Sequence, residues 1–74
     1  MNWRFDVKID GLWSTNATQV YATQAEALAA AGAFKARYAP ITDIRAEETD
    51  AVVNAHIVNG EERPGPKPVQ EGTK

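Results

Sequence analysis

Trp3-Arg4-Phe5-Asp6-Val7-Lys8-Ile9-Asp10-Gly11 is the stretch that decides the fold. Trp3, Phe5, Val7 and Ile9 alternate with Arg4, Asp6 and Lys8. Successive side chains of a strand point to opposite faces, so this pattern predicts a strand with one buried and one polar face. Asp10-Gly11 follows, a dipeptide that accepts positive φ at both positions and marks a tight hairpin turn. The next segment, LWSTNATQVYA over 12–22, is rich in Thr, Val and aromatic residues and is expected to return antiparallel. Leu12 and Trp13 are adjacent, so only one of them can face the core.

Downstream, Thr23-Gln24-Ala25-Glu26 fits a capping box, with the Thr23 hydroxyl accepting from the Glu26 amide and the Glu26 carboxylate reaching back. The helix then runs through EALAAAGAFKARY until Pro40 stops it. Ala27, Leu28, Ala31, Phe34 and Tyr38 form one stripe at helical spacing, which leaves Ala29, Ala30, Ala33 and Ala36 facing outward. Such an alanine face suits either plain solvent or the close approach of a second copy of the chain. Residues 41–49, ITDIRAEET, predict a strand with Ile44 and Ala46 facing in and Asp43, Arg45 and Glu47 facing out. VVNAHIV fits a helical face or a strand; its β-branched content favours a short strand closing at Asn59-Gly60. The expected architecture is a two-layer α+β domain, β-β-α-β-β, with an antiparallel-rich sheet and one helix on one face.

The chain has 74 residues, no cysteine and a formal net charge of −2. That length supports one small domain, expected over residues 1–58. From Asn59 to Lys74 the composition shifts to NGEERPGPKPVQEGTK, whose only large apolar residue is Val69, so a flexible tail is expected there. Without cysteine there is no disulfide framework, no CxxC redox pair and no thiolate zinc site. No apolar run approaches the roughly 18 residues of a membrane span, and the charged start MNWRFDVKID does not read as a signal peptide. Neither a cofactor nor a membrane partner is expected.

The candidate chemistry is thin. His56 is the only histidine, so no imidazole pair can hold a metal, and it reads as a surface or edge-strand residue. Glu47, Glu48 and Asp50 suggest a carboxylate cluster, but adjacent strand residues point to opposite faces. Ser14 lacks a nucleophile-elbow context, and glycines 11, 32, 60, 65 and 72 form no phosphate-cradling loop. No catalytic or metal-binding residue is assigned, and the reading is non-enzymatic. Trp13 and Tyr21, beside the turn and before the helix cap, either complete the core or stand partly exposed as recognition residues.

Two resemblances bear on function. The hairpin ending in Trp13, followed by T-x-x-E-A and an amphipathic helix, resembles the arm domain of phage integrases and the AP2 DNA-binding domain. Those lay a sheet in the major groove, which implies a nucleic-acid partner as the alternative reading. This chain departs in having two strands, not three, before its helix, and its pI is near 5.2. More broadly, Trp13-Ser14 with Asn16, Tyr21 to Ala27, Arg37-Tyr38, Thr42 to Asp50 and Val53 to Gly60 resemble short phage- and prophage-encoded proteins of unknown function. That resemblance implies an accessory protein of the bacterial cytoplasm that binds and blocks a host protein, defence complexes of the CRISPR type included. The expected contact residues are Trp13, Tyr21, Asp43, Arg45, Glu47, Glu48 and Asp50. A structural homo-oligomer using the alanine face is a third reading.

Overall fold

The first strand, β1 (Asn2–Ile9), turns back at Asp10-Gly11 into β2 (Leu12–Thr15), which pairs antiparallel with Lys8 opposite Trp13 and Ile9 opposite Leu12. Asp10 and Gly11 have φ of 54° and 78°, the left-handed pair of a type I′ turn, whose twist matches that of the flanking strands. A computed structural model supplies these coordinates and describes residues 1–15 and 18–67. Asn16 and the segment 68–74, with Val69, lie outside the described residues. β2 is shorter than the sequence suggests: among the described residues pairing stops at Thr15, and the chain rejoins β1 only through Tyr21. There the Tyr21 amide donates to the Trp3 carbonyl at 2.7 Å and the Trp3 amide donates back at 2.8 Å. The other neighbour of β1 is β3 (Ile41–Thr49), with Arg4 opposite Glu47, Asp6 opposite Arg45 and Lys8 opposite Asp43. The sheet order is therefore β2-β1-β3, all antiparallel.

The helix α1 (Gln24–Arg37) begins where expected, with the Glu26 amide donating to the Thr23 hydroxyl at 3.1 Å. It buries Ala27, Ala30 and Ala31 against Phe5, Val7 and Ile41. Small side chains at the contact let the helix backbone sit close to the sheet, and this pulls Ala30 inward although helical spacing places it outside. The larger members of the expected stripe, Leu28, Phe34 and Tyr38, are left at its margins, each more than a third exposed. Phe34 still touches the core: four rings run outward from it in order Tyr21, Phe5, Phe34, Tyr38, with centroid spacings of 6.3, 6.3 and 6.0 Å.

The chain does not stop pairing at Val58. β4 (Ala55–Val58) turns through Asn59-Gly60, again with φ of 50° and 80°, into β5 (Glu61–Pro64). The expected tail boundary at Asn59 is thus a hairpin turn, and residues 61–64 belong to a second, two-stranded sheet. Polarity misleads there, since β5 is exposed along its length and is held by its ladder rather than by burial. Val52 and Val53 precede β4 and do not join it. Asn54 fastens the hairpin to the body: its Oδ1 accepts from the Val20 amide at 2.8 Å and its Nδ2 donates to the Thr18 carbonyl at 2.6 Å. His56, on β4, is 7% exposed, and its Nδ1 lies 2.8 Å from the Gly65 carbonyl. A carbonyl only accepts, so Nδ1 carries the proton. The result is a small α+β domain in the order β-β-α-β-β-β, with one helix packed against antiparallel strands.

A candidate recognition surface on the sheet

The helix covers one face of the three-stranded sheet. The other carries Arg4, Asp6 and Lys8 from β1, Trp13 and Thr15 from β2, and Asp43, Arg45 and Glu47 from β3, as alternation along each strand dictates. Arg45 organises this face. Its Nε donates to Asp6 Oδ2 at 2.9 Å and forms an ion pair with Glu47 Oε2 at 3.1 Å, and Glu47 Oε1 accepts from Arg4 Nη2 at 3.4 Å. The Arg45 guanidinium also stacks over the Trp13 indole, 4.1 Å from the ring centroid, while Lys8 Nζ stands 5.7 Å from the same ring. Each such cation–aromatic contact contributes about 0.5–1 kcal/mol at a partly exposed site. The indole is therefore held in one orientation, yet it remains 38% exposed.

Asp6 is the buried member of the group, only 4% exposed although it lies on the polar face. Burial raises its pKa, but hydrogen bonding from the Thr15 and Arg45 side chains and the positive charge of Arg45 outweigh this, so its carboxyl titrates below the usual 3.8. Asp6 and Glu47 thus form a carboxylate pair around one guanidinium. Asp6, the buried carboxylate of the pair, anchors the Arg45 guanidinium.

The contact residues expected from the sequence do not all meet. Trp13, Asp43, Arg45 and Glu47 share the polar face. Glu48 pairs with Trp3 and so belongs to the opposite, helix-side face. Asp50 is exposed just past the end of β3. Tyr21 is a correction: its side chain is fully buried, stacked against Phe5, because the Trp3–Tyr21 bridge draws it under the helix and the second hairpin. Its hydroxyl has no hydrogen-bond partner within 3.5 Å among the described residues. Burial, then the Glu62 carboxylate, then the charge of Glu26 push its pKa well above the ordinary 10.0. Arg4, Asp6 and Lys8 line the same open face, where the alternation of β1 places them.

A groove opens on the helix side, between α1 and the uncovered inner face of β2, with a volume near 450 Å³. Phe5, Val7, Ile9, Ala30 and Phe34 supply its apolar lining, and Ser14, Thr15, Gln19, Arg37 and Glu62 its polar lining. His56 is not part of its lining, and Ser14 has no imidazole beside it there. Among the described residues no group of three His, Asp or Glu side chains stands close enough to hold a metal ion. No helix is long and apolar enough to cross a membrane among the described residues. No protein family, curated protein or solved structure matches this chain.

Proposed function

We propose that this chain is a non-enzymatic recognition module that binds a partner protein through the polar face of its three-stranded sheet, with Trp13 as the anchor. The observation that supports this is the ordered, half-exposed indole, clamped by Arg45 and Lys8 on a sheet face away from the helix. Tryptophan and arginine are enriched where binding energy concentrates, and an anchor already fixed in its bound orientation loses little entropy on docking. Asp43, Glu47 and Arg4 surround it with charges of both signs, which select a partner surface of mixed charge. The resemblance to short phage proteins supports a narrower form of the same reading, in which the partner is a host defence protein and binding inhibits it. The helix-side groove brings together one cation, Arg37, and one carboxylate, Glu62, with no histidine in its lining.

A nucleic-acid reading has one observation in its favour: a three-stranded antiparallel sheet backed by a helix, with an arginine-flanked aromatic on its open face. Electrostatics weighs against it. Arg4, Lys8 and Arg45 are matched by Asp6, Asp43 and Glu47, three cations against three carboxylates, so the face offers phosphates no net attraction. Gel-shift titration at low salt separates the two readings. Tight binding that weakens steeply with salt would establish nucleic acid as the partner; no shift at tens of micromolar leaves the protein partner.

A further inference from the structure

β3 is an edge strand with nine residues, longer than β2, β4 or β5, and its outer side pairs with nothing among the described residues. The direction of its backbone groups follows from β1. Trp3 exchanges both its hydrogen bonds with Tyr21, on the β2 side of β1. In an antiparallel ladder both backbone groups of one residue point the same way and alternate along the strand. Phe5 and Val7 therefore also point toward β2, whereas Arg4, Asp6 and Lys8 point toward β3 and bond Glu47, Arg45 and Asp43. The register shifts at Thr42, where a bulge faces the Lys8–Ile9 step, so what the alternation leaves on the open edge is the N–H and C=O of Ile44, Ala46 and Glu48. Past the bulge at Thr42, no proline interrupts this edge and no lysine guards it, two of the usual devices against pairing.

We infer that this chain forms a two-fold dimer by antiparallel pairing of β3 with β3 of a second copy, centred on Ala46. Charge and the extent of the strand together select the occupant and the register: a centre at Ile44 also opposes Asp43 to Arg45, but it sets Ala46 against the bulged Thr42 and Glu48 against Pro40, outside β3. Pairing Ala46 with its own copy places Arg45 opposite Glu47 of the partner twice, and Asp43 opposite Thr49, while Ile44 and Glu48 exchange backbone hydrogen bonds. Shifting the centre to Arg45 opposes arginine to arginine and Asp43 to Glu47; shifting it to Glu47 opposes glutamate to glutamate. The centred register gives each of the open-edge residues Ile44, Ala46 and Glu48 a backbone partner within β3. It also places Arg45 and Glu47 in a pair that is not hydrogen-bonded through the backbone, where facing side chains stand closest. Arg45 can reach across, since its side chain is 45% exposed. The two-fold axis then runs perpendicular to the sheet. The six strands form one layer in the order β2-β1-β3-β3-β1-β2, with both Trp13 indoles on one face and both helices on the other.

The test pairs sedimentation equilibrium with amide exchange on the full chain, from micromolar to millimolar protein. The expected result is a dimer whose formation slows exchange at Ile44, Ala46 and Glu48 in step with concentration, while Asp43, Arg45 and Glu47 are protected at every concentration by β1. Ala46→Pro removes an amide that points away from β1, so the ladder to β1 survives and only the dimer is lost. A chain that stays monomeric at millimolar concentration overturns the inference. So does a dimer whose Ile44 and Ala46 amides exchange freely, or an Ala46→Pro protein that folds and still dimerises. If Ala46→Pro does not fold, the exchange pattern of the unaltered chain decides alone.

Discussion

Among the described residues, Asp6 and Tyr21 are the side chains whose titration the fold shifts, in opposite directions. The folded pKa of Asp6 lies below its unfolded value of 3.8. The stability it contributes is therefore complete above that value and fades as pH falls through and below it. Asp6→Asn removes this dependence: denaturation followed from about pH 6 to about pH 2 should show a shallower acid limb than in the unaltered chain. An identical limb would show that Asp6 is not the group responsible. For Tyr21 the folded pKa is raised above 10.0, so its contribution is complete below pH 10.0 and is lost as the solution becomes more alkaline. Tyr21→Phe deletes a buried hydroxyl that has no partner within hydrogen-bond distance. It should be neutral, or stabilise by up to about 1 kcal/mol, and should flatten the alkaline limb of a urea-unfolding series. A loss above about 2 kcal/mol would mean that the hydroxyl donates to Glu62 in solution.

Among the elements, α1 shows how alanine content and core geometry interact. Ala27, Ala30 and Ala31 bring the helix close to the sheet, while Gly32 is a local weakness in its middle. A β-carbon built on Gly32 meets nothing within 4 Å and the backbone there is ordinary helix. Gly32→Ala should therefore stabilise the domain by about 0.5–1 kcal/mol, read from the shift in the urea midpoint at unchanged slope. Destabilisation instead would indicate that something covers the helix at that point. Much of the element structure was legible beforehand: alternation gave β1 and β3, Asp10-Gly11 gave the first turn, and Thr23 with Glu26 gave the cap. Those signals are local. Burial of Ala30 was not legible, because helical spacing cannot say how wide a face small residues can bury. Nor was β5, since an exposed strand of Glu61, Glu62, Arg63 and Pro64 is held by pairing rather than by an apolar pattern.

At the scale of the molecule, the β4–β5 hairpin is joined to the three-stranded body by few polar contacts, chief among them Asn54 bridging Val20 and Thr18. Asn54→Ala removes both and leaves the Val20 amide without its acceptor, at a cost of about 1–3 kcal/mol. Exchange should rise first in β4 and β5, with β1 and β3 still protected; uniform loss of protection would show that the hairpin and the body unfold as one unit. The candidate surface was legible only in part for the same reason of scale. Trp13, Asp43, Arg45 and Glu47 could be placed from their own strands. The convergence of Arg45 on Asp6 and Trp13 depends on which strands are neighbours, and the burial of Tyr21 depends on a single bridge to Trp3.

Quantitative capture from a bacterial lysate on the immobilised full chain, beside Trp13→Ala and Tyr38→Ala, tests the recognition surface most directly. Trp13 lies on the polar sheet face and Tyr38 on the helix side, and both are partly exposed, so each substitution should leave the fold intact. A protein retained by the unaltered chain and by Tyr38→Ala, but reduced at least about fivefold on Trp13→Ala, is the result predicted, equivalent to about 1 kcal/mol. Equal retention on Trp13→Ala, or loss on Tyr38→Ala alone, would contradict it and move recognition to the other side of the molecule.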